Sequence, residues 1–365
     1  MNETASPPVD SPGNAGRDGI QGPLFAALDL GTNNCRLLIA TPHVRGFRIV
    51  DAYSRIVRLG EGVSHSGRLG EAAMERAIGA LQVCADKIRR RGVTRVRAVA
   101  TQACRSAANG AQFIAAVEQR TGLRLEVITT REEAQLAVAG CLDLLDRSAK
   151  VALVLDVGGG STELSWVDLS EPGLQVAPRR LAHWRLPIKA WCSTPLGVVT
   201  LTERFPPAGP GDEAHYRLMV EAVKREIGAY EGAAHFRGAF DAGHAHIVGT
   251  SGAITSLAGL HLGLRRYDRA RVDGLWMTRD ECERVAARLT AQSVAERAAE
   301  PCIGPERADL VLAGAAILQA VQELWPSERV RVADRGLREG LLLSLMSSVR
   351  PGRSRRRRGG RGGRR

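Results

Sequence analysis

The chain has 365 residues, 44% apolar and 25% charged, which suits two domains of ordinary size and excludes both a mainly disordered chain and a disulfide-stapled miniprotein. Its formal charge of +12 is concentrated: residues 350–365 hold nine Arg and no acid, so the first 349 residues carry only +3. The longest apolar-and-small run, Leu310 to Leu318, falls far short of the ~18 residues a membrane span needs.

Met1 to Gln21 lacks the apolar stretch of a secretory signal, so the expected location is cytoplasmic, with no membrane association. Residues 1–22, rich in Pro, Gly, Ser and Asp, read as a disordered leader. Structure begins with the apolar strand Leu24–Leu30, the turn Gly31-Thr-Asn-Asn34 and a strand from Cys35 to Ala40. Phe47 to Leu59 reads as further strand. Glu71 to Arg91 carries Met74, Ile78, Leu81 and Ile88 at helical spacing and stops at Gly92. Strand 96–100, helix 111–120, strand 123–128 and helix 131–145 complete the first half.

The second half opens like the first. The apolar strand Val151–Asp156 leads into Val157-Gly-Gly-Gly-Ser-Thr162 and a strand over 163–167. Strand, Asp, glycine turn and strand thus occur once per half, pointing to two similar lobes. Helices follow at 212–235, 251–262, 278–290 and 306–325, then a strand over 329–332 and a last helix over 337–347. The alternation predicts α/β architecture, with lobes at 23–147 and 148–348 and a disordered Arg/Gly tail at 349–365. Seven Cys without a C-x-x-C pair suggest reduced, mostly buried thiols rather than a disulfide framework or a zinc site.

The chemistry concentrates in Asp156-Val-Gly-Gly-Gly-Ser-Thr-Glu163. Gly158, Gly159 and Gly160 let backbone N–H groups approach an anion that side chains would block, and Ser161 and Thr162 add hydroxyl donors. Asp156 and Glu163 offer the hard oxygens Mg²⁺ takes beside phosphate. Asp29 with Gly31, Thr32 and Asn33 repeats the motif in weaker form, and two such hairpins facing each other would clamp a phosphate. Gly249-Thr-Ser-Gly252 opens a helix; Gly249, Ser251 and Gly252 form a further anion site or an ordinary N-cap. No G-x-x-x-x-G-K-[ST] occurs, which excludes a P-loop NTPase. His244 and His246 share a strand face without a third ligand. Glu133 reads from the residues as helix capping, in a box Thr130-Arg-Glu-Glu133.

These three loops in this order, with Arg105 in Ala100-Thr-Gln-Ala-Cys-Arg-Ser106 and the closing Val332-Ala-Asp-Arg-Gly-Leu-Arg-Glu-Gly340, resemble the exopolyphosphatase / guanosine pentaphosphate phosphohydrolase family of the actin-like superfamily. The resemblance runs from about Phe25 to Leu345. It implies two ribonuclease-H-like lobes and an active site in the cleft between them. The implied activity is Mg²⁺-dependent release of the terminal phosphate of polyphosphate or of the 5′-terminal phosphate of pppGpp. In Thr129-Thr-Arg-Glu-Glu-Ala134, which departs from the family's S-G-x-E-E-A, it makes Glu133 the catalytic base. It makes Asp156, Glu163 and Asp29 the metal-associated acids, the glycine loops the phosphate contacts, and Arg105 a candidate phosphate clamp. Two rivals stay open at this point, an ATP-dependent kinase of the same superfamily and a non-catalytic sensor of the same ligands. The tail, without aromatics, suggests electrostatic contact with RNA or another polyanion; a homodimer is a further expectation.

Overall fold

A computed structural model describes residues 22–44, 46–171 and 186–348; the expected Arg/Gly tail and nearly all of the leader lie outside them. Two sheets organise the chain. The first has the order β3-β2-β1-β4-β5, from β1 (Phe25–Leu30), β2 (Asn34–His43), β3 (Gly46–Ile56), β4 (Arg95–Ala100) and β5 (Leu125–Val127). The second has the order β10-β11-β9-β6-β7-β8, from β6 (Val151–Val157), β7 (Thr162–Asp168), β8 (Ile188–Thr194), β9 (Ala245–Thr250), β10 (Trp276–Thr278) and β11 (Arg329–Ala333).

The repeat read from the hairpins extends to topology. β1 pairs antiparallel with β2 and parallel with β4, as β6 does with β7 and β9. This is the two-lobed actin-like architecture. Central strands read as continuous apolar runs because helices cover both faces: Phe25 to Leu28, and Val151 to Leu155, are buried without alternation.

The last helix of each half crosses to the other lobe. The Thr130–Cys141 helix, which follows β5, packs Val138, Ala139 and Cys141 into the core of the second sheet, with Ala152, Val154 and Val248. The Leu337–Ser347 helix, which follows β11, packs Leu337, Leu341 and Leu342 on Phe25, Ala27 and Val99 of the first sheet. Packing therefore crosses the expected lobe division at 147/148, because the apolar stripes of these two helices face opposite sheets. Glycines allow the helices to touch through their backbones: a Cβ on Gly340 would lie 2.1 Å from the Leu136 carbonyl oxygen.

Several boundaries differ from expectation. The long helix expected over 212–235 ends at Gly228 and gives way to the 3₁₀ turn Glu231–Phe236. The helix expected from 306 begins at Val311. β8 and β10 are strands where none is expected; each is a sheet edge, where packing on one face leaves a weak apolar signature.

Candidate active site

The two hairpin turns meet between the lobes. A Cβ on Gly159 would sit 3.1 Å from Asn33, and one on Gly160 would sit 2.6 Å from Thr32 Oγ1, so only glycine allows this approach. Each turn is closed the same way: Gly31 N–H donates to Asn34 O and Gly158 N–H to Ser161 O, both at 2.9 Å. The turn carbonyls are tied away from the cleft. Thr32 O accepts from Gly60 N–H and Asn33 O from Val57 N–H; Gly158 O and Gly159 O accept from Val198 and Val199 N–H at the start of the Val198–Arg204 helix. Among the described residues no protein acceptor takes the N–H groups of Thr32, Asn33, Gly159, Gly160 or Ser161. Orphan amides lining a cleft are anion donors.

Strand register sets the acids. Asp156 lies directly opposite Glu163 across β6 and β7, and Asp29 lies opposite Arg36 across β1 and β2. Burial is the main cause that pushes the Asp156 carboxyl up to about 7, with Glu163 and Asp29 adding to it and Arg36 opposing. Burial likewise raises Glu163, against hydrogen bonds from Ser193 and Ser161. Glu133, 9% exposed, is held well above the usual carboxylate range by burial and by Glu163.

The cap of the Thr130–Cys141 helix falls one residue earlier than expected. Thr129 is the N-cap, and its hydroxyl accepts from Glu132 N–H at 3.2 Å. Glu132 turns to Arg97 at 2.5 Å. Glu133 is thereby free of capping and faces the cleft, where it meets Arg105 at 3.1 Å.

The cleft is lined by Asp29, Gly31, Thr32, Asn33, Glu133, Asp156, Gly158, Gly159, Gly160, Ser161, Ser251 and Gly252. Glu163 stands just behind its wall, 2% exposed, accepting from Ser193 Oγ at 2.8 Å. Ser251 caps the Gly252–His261 helix at φ 103°, a conformation costly for a residue with a Cβ, in a loop facing the cleft. Three expectations change. Thr162 is fully buried and its hydroxyl donates to the Leu196 carbonyl at 2.7 Å, away from the cleft, because strand alternation sends it to the face opposite Glu163. Gly249 lies within β9, and its Cβ direction meets Ile254 of the core. Arg105 donates to Ile128 O, Gln102 Oε1 and Glu133, so its guanidinium is a brace on the acid rather than an open phosphate clamp.

The residue reading also missed the cations that line the cleft. Arg36 from β2, Arg307 ahead of the Val311–Leu324 helix and Arg338 in the first turn of the last helix line it together. Burial and Arg338 lower the Arg36 guanidinium. No carboxylate within ion-pair distance neutralises any of the three among the described residues. The cleft thus carries carboxylates around Glu133 and three guanidiniums without an ion-pair partner, beside the further acids Asp334 and Glu339, which pair with Arg269.

The donor set can be tested for a cation. Among the described residues no three His, Cys, Asp or Glu side chains converge to hold a metal unaided. Asp156 and Glu163 face each other with both carboxyls raised, and the buried oxygens Asn33 Oδ1 and Asn34 Oδ1 have no donor. Two acids and acceptors for metal-bound water fit Mg²⁺, which draws its other ligands from water and substrate phosphate.

A model of the Ppx/GppA phosphatase family matches residues 38–349. The chain belongs to that family. It is 31% identical over 339 residues to exopolyphosphatase 2 of Mycobacterium tuberculosis, covering 88% of this chain and 98% of that protein. It is 27% identical over 326 residues to the guanosine-5'-triphosphate,3'-diphosphate pyrophosphatase of Aeromonas hydrophila, covering 89% of this chain but 60% of that longer protein. The crystal structure of the Aquifex aeolicus family member superposes with a TM-score of 0.71 at 29% identity, covering 90% of this chain and 99% of that one. An exopolyphosphatase structure from Cytophaga hutchinsonii gives 0.77 at 23% identity, a likeness of fold.

Proposed function

We propose that this protein is a phosphoanhydride hydrolase that releases the terminal phosphate of inorganic polyphosphate, or the 5′-terminal phosphate of pppGpp, by attack of a water activated by Glu133. The observation that carries the reading is a buried, proton-seeking carboxylate facing two loops of orphan backbone amides. A carboxylate whose proton affinity is raised by burial is better matched to abstracting a proton from water. Terminal phosphate oxygens would sit on the amides of Gly159, Gly160 and Ser161 and of Thr32 and Asn33. Glu133 would orient the water and take its proton, and Arg105 would keep that carboxylate in place. Arg36, Arg307 and Arg338 would hold the rest of the polyanion and fix which end enters. Amides and guanidiniums already aimed at developing charge need no reorganisation during the reaction. Asp156 and Glu163 would hold Mg²⁺, which when bound supplies neutralisation of charge on the phosphoryl oxygens. Polyphosphate is the first substrate to try, since the likeness to an exopolyphosphatase spans nearly all of both chains, whereas the guanosine relative extends well beyond this one.

The test is phosphate release by the purified protein from polyphosphate and from pppGpp, with Mg²⁺ and no acceptor. Release supports the hydrolase. Turnover only when an acceptor is added would make the protein a kinase, and tight binding without release would make it a sensor.

A further inference from the structure

A second cavity, of about 420 Å³, is walled in part by Thr32 and Gly160 from the tips of the same paired loops. It shares Thr32, Gln102 and Gly160 with the cleft, but none of the cleft's arginines or carboxylates. Both lobes build the rest of its wall, including Ser64, His65 and Ser106 from the first and Thr200 and Arg204 from the second. The partition is thin. Where a Cβ on Gly160 would stand, Thr32 Oγ1 is 2.6 Å away and Gln102 Cγ 3.1 Å away, so a glycine against two side chains divides the two spaces. Gln102 also locates the cavity relative to the acid end: its Oε1 accepts from Arg105 at 2.6 Å, and Arg105 reaches Glu133 at 3.1 Å. At the outer rim, Glu203 of the second lobe accepts from Gly62 N–H at 2.7 Å and from Ser64 Oγ.

In-line displacement places the attacking water opposite the leaving oxygen. The water oxygen bonds to the terminal phosphorus, its proton passes to Glu133, and the bridging P–O bond breaks with its electron pair on the shortened chain. That chain retreats toward Arg36, Arg307 and Arg338. Orthophosphate is then left at the Glu133 end, with a polyanion still lying across the cleft mouth. A way out on the opposite side would spare the polyanion from dissociating at each cycle. None of those three arginines lines the second cavity. Its Arg204 guanidinium, without a carboxylate partner among the described residues, suits a small anion, whereas Ser64, Ser106 and Thr200 already donate to Glu203 and to the Gln102 and Pro195 carbonyls.

We propose that this cavity is the orthophosphate release site: phosphate freed beside Glu133 passes between Thr32, Gln102 and Gly160 and leaves past Arg204, while the shortened polyphosphate stays bound. The assignment rests on the hydrolase reading above. Ser106→Trp and His65→Trp fill the cavity from different elements; both residues are exposed and neither lines the cleft, and His65→Trp lies apart from Arg105, which Ser106 follows in the chain. On long polyphosphate, rapid quenching reads total phosphate formed, and a fluorescent phosphate-binding sensor reads phosphate set free. Both variants should form the first phosphate at the wild-type rate and free it about 10-fold more slowly, release having become limiting. Ser106→Ala should track the wild type. Free phosphate that keeps pace with formed phosphate in both Trp variants overturns the release site. A wild type that forms no phosphate overturns the hydrolase reading, and the release site with it.

Discussion

Arg105 donates to Glu133 Oε2 at 3.1 Å, and the same guanidinium donates to the Ile128 carbonyl at 2.8 Å. One arginine thus ties the acid at the start of a helix to the strand end that precedes it. Its charge also opposes the burial that pushes the Glu133 carboxyl up.

Removing that charge has a signed consequence. In Arg105→Gln, Glu133 loses the cation that favours its ionised form, so its pKa rises further. The acid limb of kcat against pH should move to higher pH, and kcat near neutrality should fall about 10-fold, with KM changing little. Kinetics across the pH range would check this. A raised KM with an unmoved pH profile would instead make Arg105 a direct phosphate contact.

Asp156 allows a stability prediction without substrate. Its carboxyl stands at about 7 when folded against 3.8 ordinarily. Below the ordinary value both states are protonated. As pH rises the unfolded chain ionises first, so folding loses stability progressively until pH passes about 7. Asp156→Asn removes the loss and should stabilise the metal-free fold, by at most roughly 4 kcal/mol at ~1.4 kcal/mol per pKa unit. The gain should be larger at pH 8 than at pH 5 in urea denaturation. Equal gains at both would show that the carboxyl titrates normally.

The same acid couples pH to metal. Mg²⁺ binding to Asp156 and Glu163 competes with protons, so raising Mg²⁺ should shift the acid limb of activity to lower pH. An acid limb indifferent to Mg²⁺ would remove these residues from metal binding.

The crossing of the two interlobe helices is testable through glycine. Gly340→Ala drives a Cβ against the Leu136 carbonyl and should cost about 1–3 kcal/mol or more. Gly79→Ala, mid-helix with nothing within 4 Å, should stabilise by about 0.5–1 kcal/mol. Chemical denaturation of both variants gives the contrast.

Much of the fold was legible because each lobe announces itself with an apolar strand, an Asp and a glycine turn. That pattern located Asp29, Asp156 and the amide loops. Thr162 and Gly249 were misplaced by treating motifs as strings, although period-two alternation already separates Thr162 from Glu163. The cap of the Thr130–Cys141 helix slipped by one because Thr129 and Thr130 are both good N-caps, and only backbone geometry chooses between them. Arg36, Arg307 and Arg338 were hidden for a different reason. They come from three distant segments of a chain with 47 Arg, and only the fold brings those three guanidiniums to one cleft. The crossing helices were likewise a tertiary fact, since an apolar stripe does not say which sheet it meets.

The claim that Glu133 activates the water is tested most directly by Glu133→Gln, a near-isosteric change that leaves the Thr129 cap and the amide loops intact. Phosphate release from tripolyphosphate and binding of the same compound would be measured side by side, with Glu132→Gln as the neighbouring control. The account predicts a loss of roughly 10²–10⁴-fold in kcat for Glu133→Gln. Its binding should stay nearly unchanged, and Glu132→Gln, whose partner is Arg97, should turn over close to wild type. Wild-type release by Glu133→Gln, or abolished release by Glu132→Gln alone, would contradict it.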